Sequence, residues 1–157
     1  MFEKKEYIVS STFGICKVEK ITKLVVGKEQ QMEYYVLQSG ADPTKKSYIP
    51  VEHHETVLRY PVSEQEAQEL LDKMVINTNK EEKEPLLTLQ EAKEILESGE
   101  PEKWAKASGY YLSEGEDCDW QLQAILAKIW DNLRGELAFS LKKSQDDIRQ
   151  MVANKLK

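Results

Sequence analysis

A chain of 157 residues with 40% hydrophobic and 32% charged residues has the balance of a soluble globular protein, either one compact domain or two small ones. Its net charge of −6 argues against broad nonspecific binding to nucleic acid. No apolar run approaches the roughly 18 residues of a membrane helix. The start, Met1-Phe2-Glu3-Lys4-Lys5-Glu6, has no apolar signal core and the two cysteines form no disulfide framework, so the expectation is a cytoplasmic protein with free thiols and no membrane contact.

The charge is divided unevenly. Met1 to Val62 carries nine Lys/Arg against eight Asp/Glu, a net of +1, whereas Ser63 to Lys157 carries thirteen against twenty, a net of −7. The texture changes at the same place. Before it come short β-branched and aromatic runs: Tyr7-Ile8-Val9, Ile15-Cys16-Lys17-Val18, Leu24-Val25-Val26, Tyr34-Tyr35-Val36-Leu37 and Tyr48-Ile49-Pro50-Val51. Gly14, Gly27, Gly40 and Asp42-Pro43 punctuate them, as turns punctuate strands. So many strands in so short a stretch predict a small, strongly bent sheet or barrel, because a flat sheet of that length could not bury its own face.

From Ser63 onward the pattern is helical. Ser63-Glu64-Gln65-Glu66 is a capping box, followed by the stripe Leu70, Leu71, Met74. The polar run from Asn77 to Pro85 reads as a linker or loop. Thr88-Leu89-Gln90-Glu91 is a second capping box, leading to Ala92, Ile95 and Leu96 and ending at Ser98-Gly99. Pro101 suits the first turn of a helix bearing Trp104, Ala107, Tyr111 and Leu112. After Gly115 and the acidic run to Asp119, the longest helix places Leu122, Ile125, Leu126, Ile129, Trp130, Leu133, Leu137 and Leu141 on one face. Lys142 and Lys143 suit its C-terminus, and Ser144 with Asp147 caps a last helix carrying Ile148, Val152 and Leu156. Trp104 and Trp130 read as core, and Trp120 as packing between helices.

Little in the chain suggests catalysis. His53 and His54 are adjacent, so their side chains diverge and read as a solvated turn, not as metal ligands. Cys16 reads as a buried structural thiol, and Cys118, among acids, as a dull nucleophile. Glu114, Glu116, Asp117 and Asp119 lack the spacing of a calcium loop. No phosphate-binding glycine loop or Ser/His/acid set stands out, so the expectation is a protein that is not an enzyme and has no cofactor, metal or small-molecule substrate.

A resemblance fits the strand-then-helix order. The stretches Tyr7-Ile8-Val9, Gly14-Ile15-Cys16-Lys17-Val18, Glu33-Tyr34-Tyr35-Val36-Leu37, Tyr48-Ile49-Pro50-Val51 and Leu58-Arg59 resemble the RNA polymerase-interacting domain of the CarD/CdnL family, also found in transcription–repair coupling factor. Val62 to Ala67, Leu96 to Trp104 and Gly135 to Leu141 resemble that family's helical domain. The resemblance implies an α+β protein: a Tudor- or SH3-like β-barrel over residues 1–62 and an all-α domain over 63–157. It further implies a bacterial transcription regulator that binds the RNA polymerase β subunit, partly by strand-edge pairing, with Lys23, Leu24, Val25, Lys46 and Tyr48 near the contact. The family's helical domain reaches promoter DNA with a wedging Trp and nearby basic residues. Here no Trp or Arg lies between Asn77 and Ala92, and Lys80, Lys83, Lys103 and Lys106 are the candidate phosphate contacts. The missing wedge leaves a second reading open: an interaction module for another protein, without DNA contact.

Overall fold

A computed structural model of the chain describes residues 2–11, 13–26, 30–40, 42, 44–52, 57–78, 88–114 and 119–155. Five strands come first: β1 (Tyr7–Ser10), β2 (Gly14–Val26), β3 (Gln30–Ser39), β4 (Lys46–Pro50) and β5 (Leu58–Arg59). Helices follow: α1 (Glu64–Thr78), α2 (Leu89–Ser98), α3 (Pro101–Glu114), α4 (Trp120–Leu141) and α5 (Gln145–Lys155). The β-branched runs thus form strands and the 3–4 spaced runs form helices.

The expected barrel is not formed. The strands lie in the order β4-β3-β2-β1-β5, every neighbouring pair antiparallel, and the sheet stays open with β4 and β5 at its ends. The closed barrel is what the family resemblance implies, whereas the strand pattern alone leaves a strongly bent sheet as the alternative. Here both faces are covered without closure. On one, Ile8, Cys16, Val18, Tyr35 and Leu37 form a core flanked by Phe2, Phe13 and Ile49. On the other, Val9 joins the helical core of Leu71, Trp104, Ile129, Leu133 and Leu137, with Ile15 packed against it. Successive residues of β1 therefore serve different cores, as the period of two in a strand requires. A two-residue β5 also has too few backbone groups to carry a closing ladder.

The register of β2 against β3 shifts between Val18 and Lys20, leaving Glu19 as the extra residue of a bulge. Before it, β2 is paired on both sides, by β1 and β3. Beyond it, β2 runs on beside β3 alone.

Side-chain caps set the helix starts. The amides of Glu66 and Glu91 donate to Ser63 Oγ and Thr88 Oγ1 at 3.1 Å each, and each hydroxyl donates onward to the same Glu carboxylate. Ser144 and Asp147 cap each other reciprocally, each backbone N–H donating to the other's side-chain oxygen. Asp119 Oδ1 caps α4 through the Gln121 amide. At the end of α4 the structure departs from a simple dipole picture, for Lys142 itself takes the left-handed conformation at φ 56°. Trp104 and Trp130 are buried, but Trp120, in the first turn of α4, is 74% exposed and is not packed between helices among the described residues. Ile148 and Val152 of α5 are buried as expected, whereas Leu156 lies outside the described residues.

Gly99 ends α2 at φ 64°, and a Cβ there would come within 2.9 Å of Val57 Cγ1. Gly99→Ala is expected to cost about 1–2 kcal/mol of stability from the left-handed conformation alone. The loss should be read as a lower urea midpoint at unchanged slope; an unmoved midpoint would mean that the turn can be remade without glycine.

A candidate docking edge on the sheet

Two of the stretches of backbone with one side lacking a strand neighbour among the described residues are β4 and β2 beyond the bulge; β5, at the other end of the sheet, is a further one. On β4, the Ser39 amide donates to Lys45 O and the Val51 amide to Glu33 O, each at 3.0 Å. Alternation then turns Ser47 and Ile49 toward β3, and Lys46, Tyr48 and Pro50 outward. Proline, which has no N–H, falls where no ladder bond is lost. Because Tyr35 opposite Ile49 faces β4, its neighbours Tyr34 and Val36 face β2. That leaves Ile21, Lys23 and Val25 turned outward along β2 beyond the bulge.

The five residues tied by resemblance to a polymerase contact divide between these two edges. Lys23, Leu24 and Val25 lie on β2 and Lys46 and Tyr48 on β4, with β3 between them. Lys23 is opposite Glu33, on the same sheet face as Ile21 and Tyr35, and lines an open hollow of about 440 Å³ with Met32, Glu33, Val51 and Glu52. Lys46 is opposite Gln38, on the other face, where its Nζ lies 3.0 Å from Glu19 in an exposed ion pair. Tyr48 is 55% exposed, as is Tyr60, and tyrosine is among the residue types enriched at interface anchors.

The four lysines considered for DNA are not gathered into a patch. Lys80 and Lys83 lie outside the described residues. Lys103 and Lys106 are exposed on α3, but Lys103 Nζ is 3.3 Å from Glu100, and Glu102 beside it pairs with Lys73. Phosphate attraction there is offset by adjoining carboxylates. His53, His54 and Cys118 also lie outside the described residues. Among the described residues, no group of three or more His, Cys, Asp or Glu is placed to hold a metal ion, and no helix is long and apolar enough to cross a membrane.

With this geometry, one comparison is informative. Residues 2–61 match the CarD-like/TRCF RID domain family. The matched span contains all five strands and both of these edges, and it supports a transcription-regulating, RNA polymerase-interacting role for this part of the chain. A search of curated proteins finds no match.

The most ordered polar constellation escaped the sequence reading. Arg59, on β5, donates from Nη1 and Nη2 to the Glu136 carboxylate on α4 at 2.6 and 2.7 Å. Its Nε donates to Gly99 O at 2.6 Å, and its guanidinium lies 5.4 Å from the centre of the Trp104 ring. Glu136 is fully buried and also accepts the Val62 amide at 2.9 Å, while Ser140 Oγ donates to Val62 O at 2.6 Å. A signal was present: Glu136 stands three residues after Leu133 and seven after Ile129, a carboxylate on an apolar stripe. Its partner, 77 residues earlier, could not be read from spacing.

Cys16 is fully buried, as expected, with Sγ 3.5 Å from Ile8 O. Burial pushes its thiol up to about 11 from the usual 9.0, with hydrogen bonding to Ser10 opposing in part. The folded thiol should therefore resist alkylation at pH 8 and react only on unfolding. Between pH 9 and about 11 the unfolded thiol loses its proton while the folded one keeps it, so this group's contribution to stability falls as pH rises. Cys16→Ala should remove that component of the slope in urea titrations; an unchanged slope would show that the thiol does not contribute.

Proposed function

We propose that the chain is a non-enzymatic regulator of bacterial transcription initiation that binds the RNA polymerase β subunit by adding a partner strand to the β4 edge. The reading takes residues 1–62 as the polymerase-interacting unit and 63–157 as the helical unit. The carrying observation is the open β4 edge, with the backbone of Lys46 and Tyr48 turned outward, inside a span that matches the CarD-like/TRCF RID domain. Backbone pairing supplies the affinity, and the exposed Tyr48 and Lys46 side chains set the register. The exposed pairing of Lys46 with Glu19 can be exchanged for a partner contact at little energetic cost.

Isolated β lobe and the full purified chain should bind in a calorimetric titration, and no binding would end this reading. Tyr48→Pro removes an outward N–H while leaving the bonds to β3, so it should keep the fold by circular dichroism. It should weaken binding at least about fivefold, since one backbone hydrogen bond worth about 1 kcal/mol is lost together with the Tyr48 side chain. Lys46→Glu should weaken it too. If Lys23→Glu has the larger effect, the partner uses the β2 edge instead.

A second reading, an interaction module for a partner other than RNA polymerase that does not contact promoter DNA, is favoured in its second part by Lys103 and Lys73 standing in ion pairs with Glu100 and Glu102. It is distinguished by a footprint in which polymerase is bound in the presence of the chain and the upstream edge of the open promoter gains no protection.

A further inference from the structure

We infer that Arg59 and Glu136 are positioning residues: their buried pair sets the angle at which the sheet carries the helices, so that a partner held on the sheet edge meets the helical surface in one pose. The consequence for a partner rests on the docking function proposed above, whereas the fixed angle itself does not.

Two kinds of contact join sheet and helices. Val9 and Ile15 pack on the helical core, and Tyr7 lies 5.0 Å from Phe139, centre to centre. Apolar contact of this kind is non-directional and tolerates sliding. The guanidinium–carboxylate fork is directional. Two parallel hydrogen bonds hold two planar groups edge to edge, and any rotation of α4 against β5 lengthens at least one of them. A third donor of the guanidinium, Nε, goes to Gly99 O between α2 and α3, Nη1 also reaches Tyr60 O at 3.2 Å, and Glu136 Oε2 accepts the Val62 amide, just before α1, as well as Nη1. One ion pair therefore ties the last strand to the entrance of α1, the α2–α3 corner and the middle of α4. Glu136 has no exposure through which water could replace a lost partner, so intermediate angles leave a buried charge short of bonds.

The test compares the full chain with Arg59→Met/Glu136→Leu, which replaces the pair with apolar groups of similar volume and so preserves packing. Residual dipolar couplings of backbone amides are measured in one aligned medium. For the unaltered chain, one alignment tensor should fit strand and helix amides together. In the double variant, circular dichroism should be unchanged, but sheet and helices should require separate tensors. If one tensor still fits both, the pair does not set the angle and the inference is overturned. A merely stabilising role would lower the unfolding midpoint and leave the single tensor intact. Should the double variant not fold, Arg59→Lys keeps the charge but loses the fork, and the same two outcomes decide. A parallel titration with the β lobe keeps the readings apart. Failure of the unaltered chain to bind would remove the docking function and leave the tensor result standing. Unchanged lobe affinity in a variant with split tensors supports a role in positioning, and not in contact.

Discussion

The buried pair between Arg59 and Glu136 is the constraint on which the arrangement of the molecule turns. It bridges the last strand and the longest helix, and its remaining bonds reach Gly99 and Val62. Breaking such a pair from one side typically costs about 3–5 kcal/mol, because the survivor is left charged and desolvated. Its value lies less in net stability than in direction. Apolar cores lie on both faces of the sheet, and either could be rearranged by small slides; a fork with two short bonds cannot.

That constraint bears on the open sheet. A barrel would have used both end strands to pair with each other. Instead β5 ends in Arg59 and leads directly to the helices, while β4 is left at the far end with backbone groups facing outward. The helices cover one sheet face, side chains of the sheet itself with Phe2 and Phe13 bury the other, and an edge is left available. Beyond the bulge at Glu19, the longer β2 runs past the end of the short β1, which exposes a second stretch of edge. Edges are normally blunted against indiscriminate pairing; Lys46 and Pro50 serve that purpose on β4 and still leave outward polar groups for a matched strand.

The division of charge also takes on a structural meaning. The near-neutral sheet holds the matched domain and these edges, while the acidic helices form the larger core and hold Lys73 and Lys103 close to carboxylates. A partner strand can approach the sheet without strong repulsion. A phosphate backbone approaching α3 meets Glu100 and Glu102 together with Lys103.

Local order was legible because local rules produced it. Ser63, Thr88 and Ser144 cap the helices where the serine/threonine-to-acid spacing placed them, Gly99 closes α2, and the Ile129–Leu133–Leu137 stripe is core. Strand identity and the buried Cys16 followed in the same way, from side-chain type and alternation. What the tertiary structure decided was how the pieces meet. Whether a short sheet closes depends on what else can cover its face, and periodicity in the strands carries no information about a helix more than a hundred residues away. The exposure of Trp120 likewise depended on which described residues come to lie over the first turn of α4. Above all, a lone Arg and a carboxylate on an apolar stripe became one device only when folding brought β5 against α4. Charge pairing acts over a few ångströms of space, and distance along the chain says nothing about it.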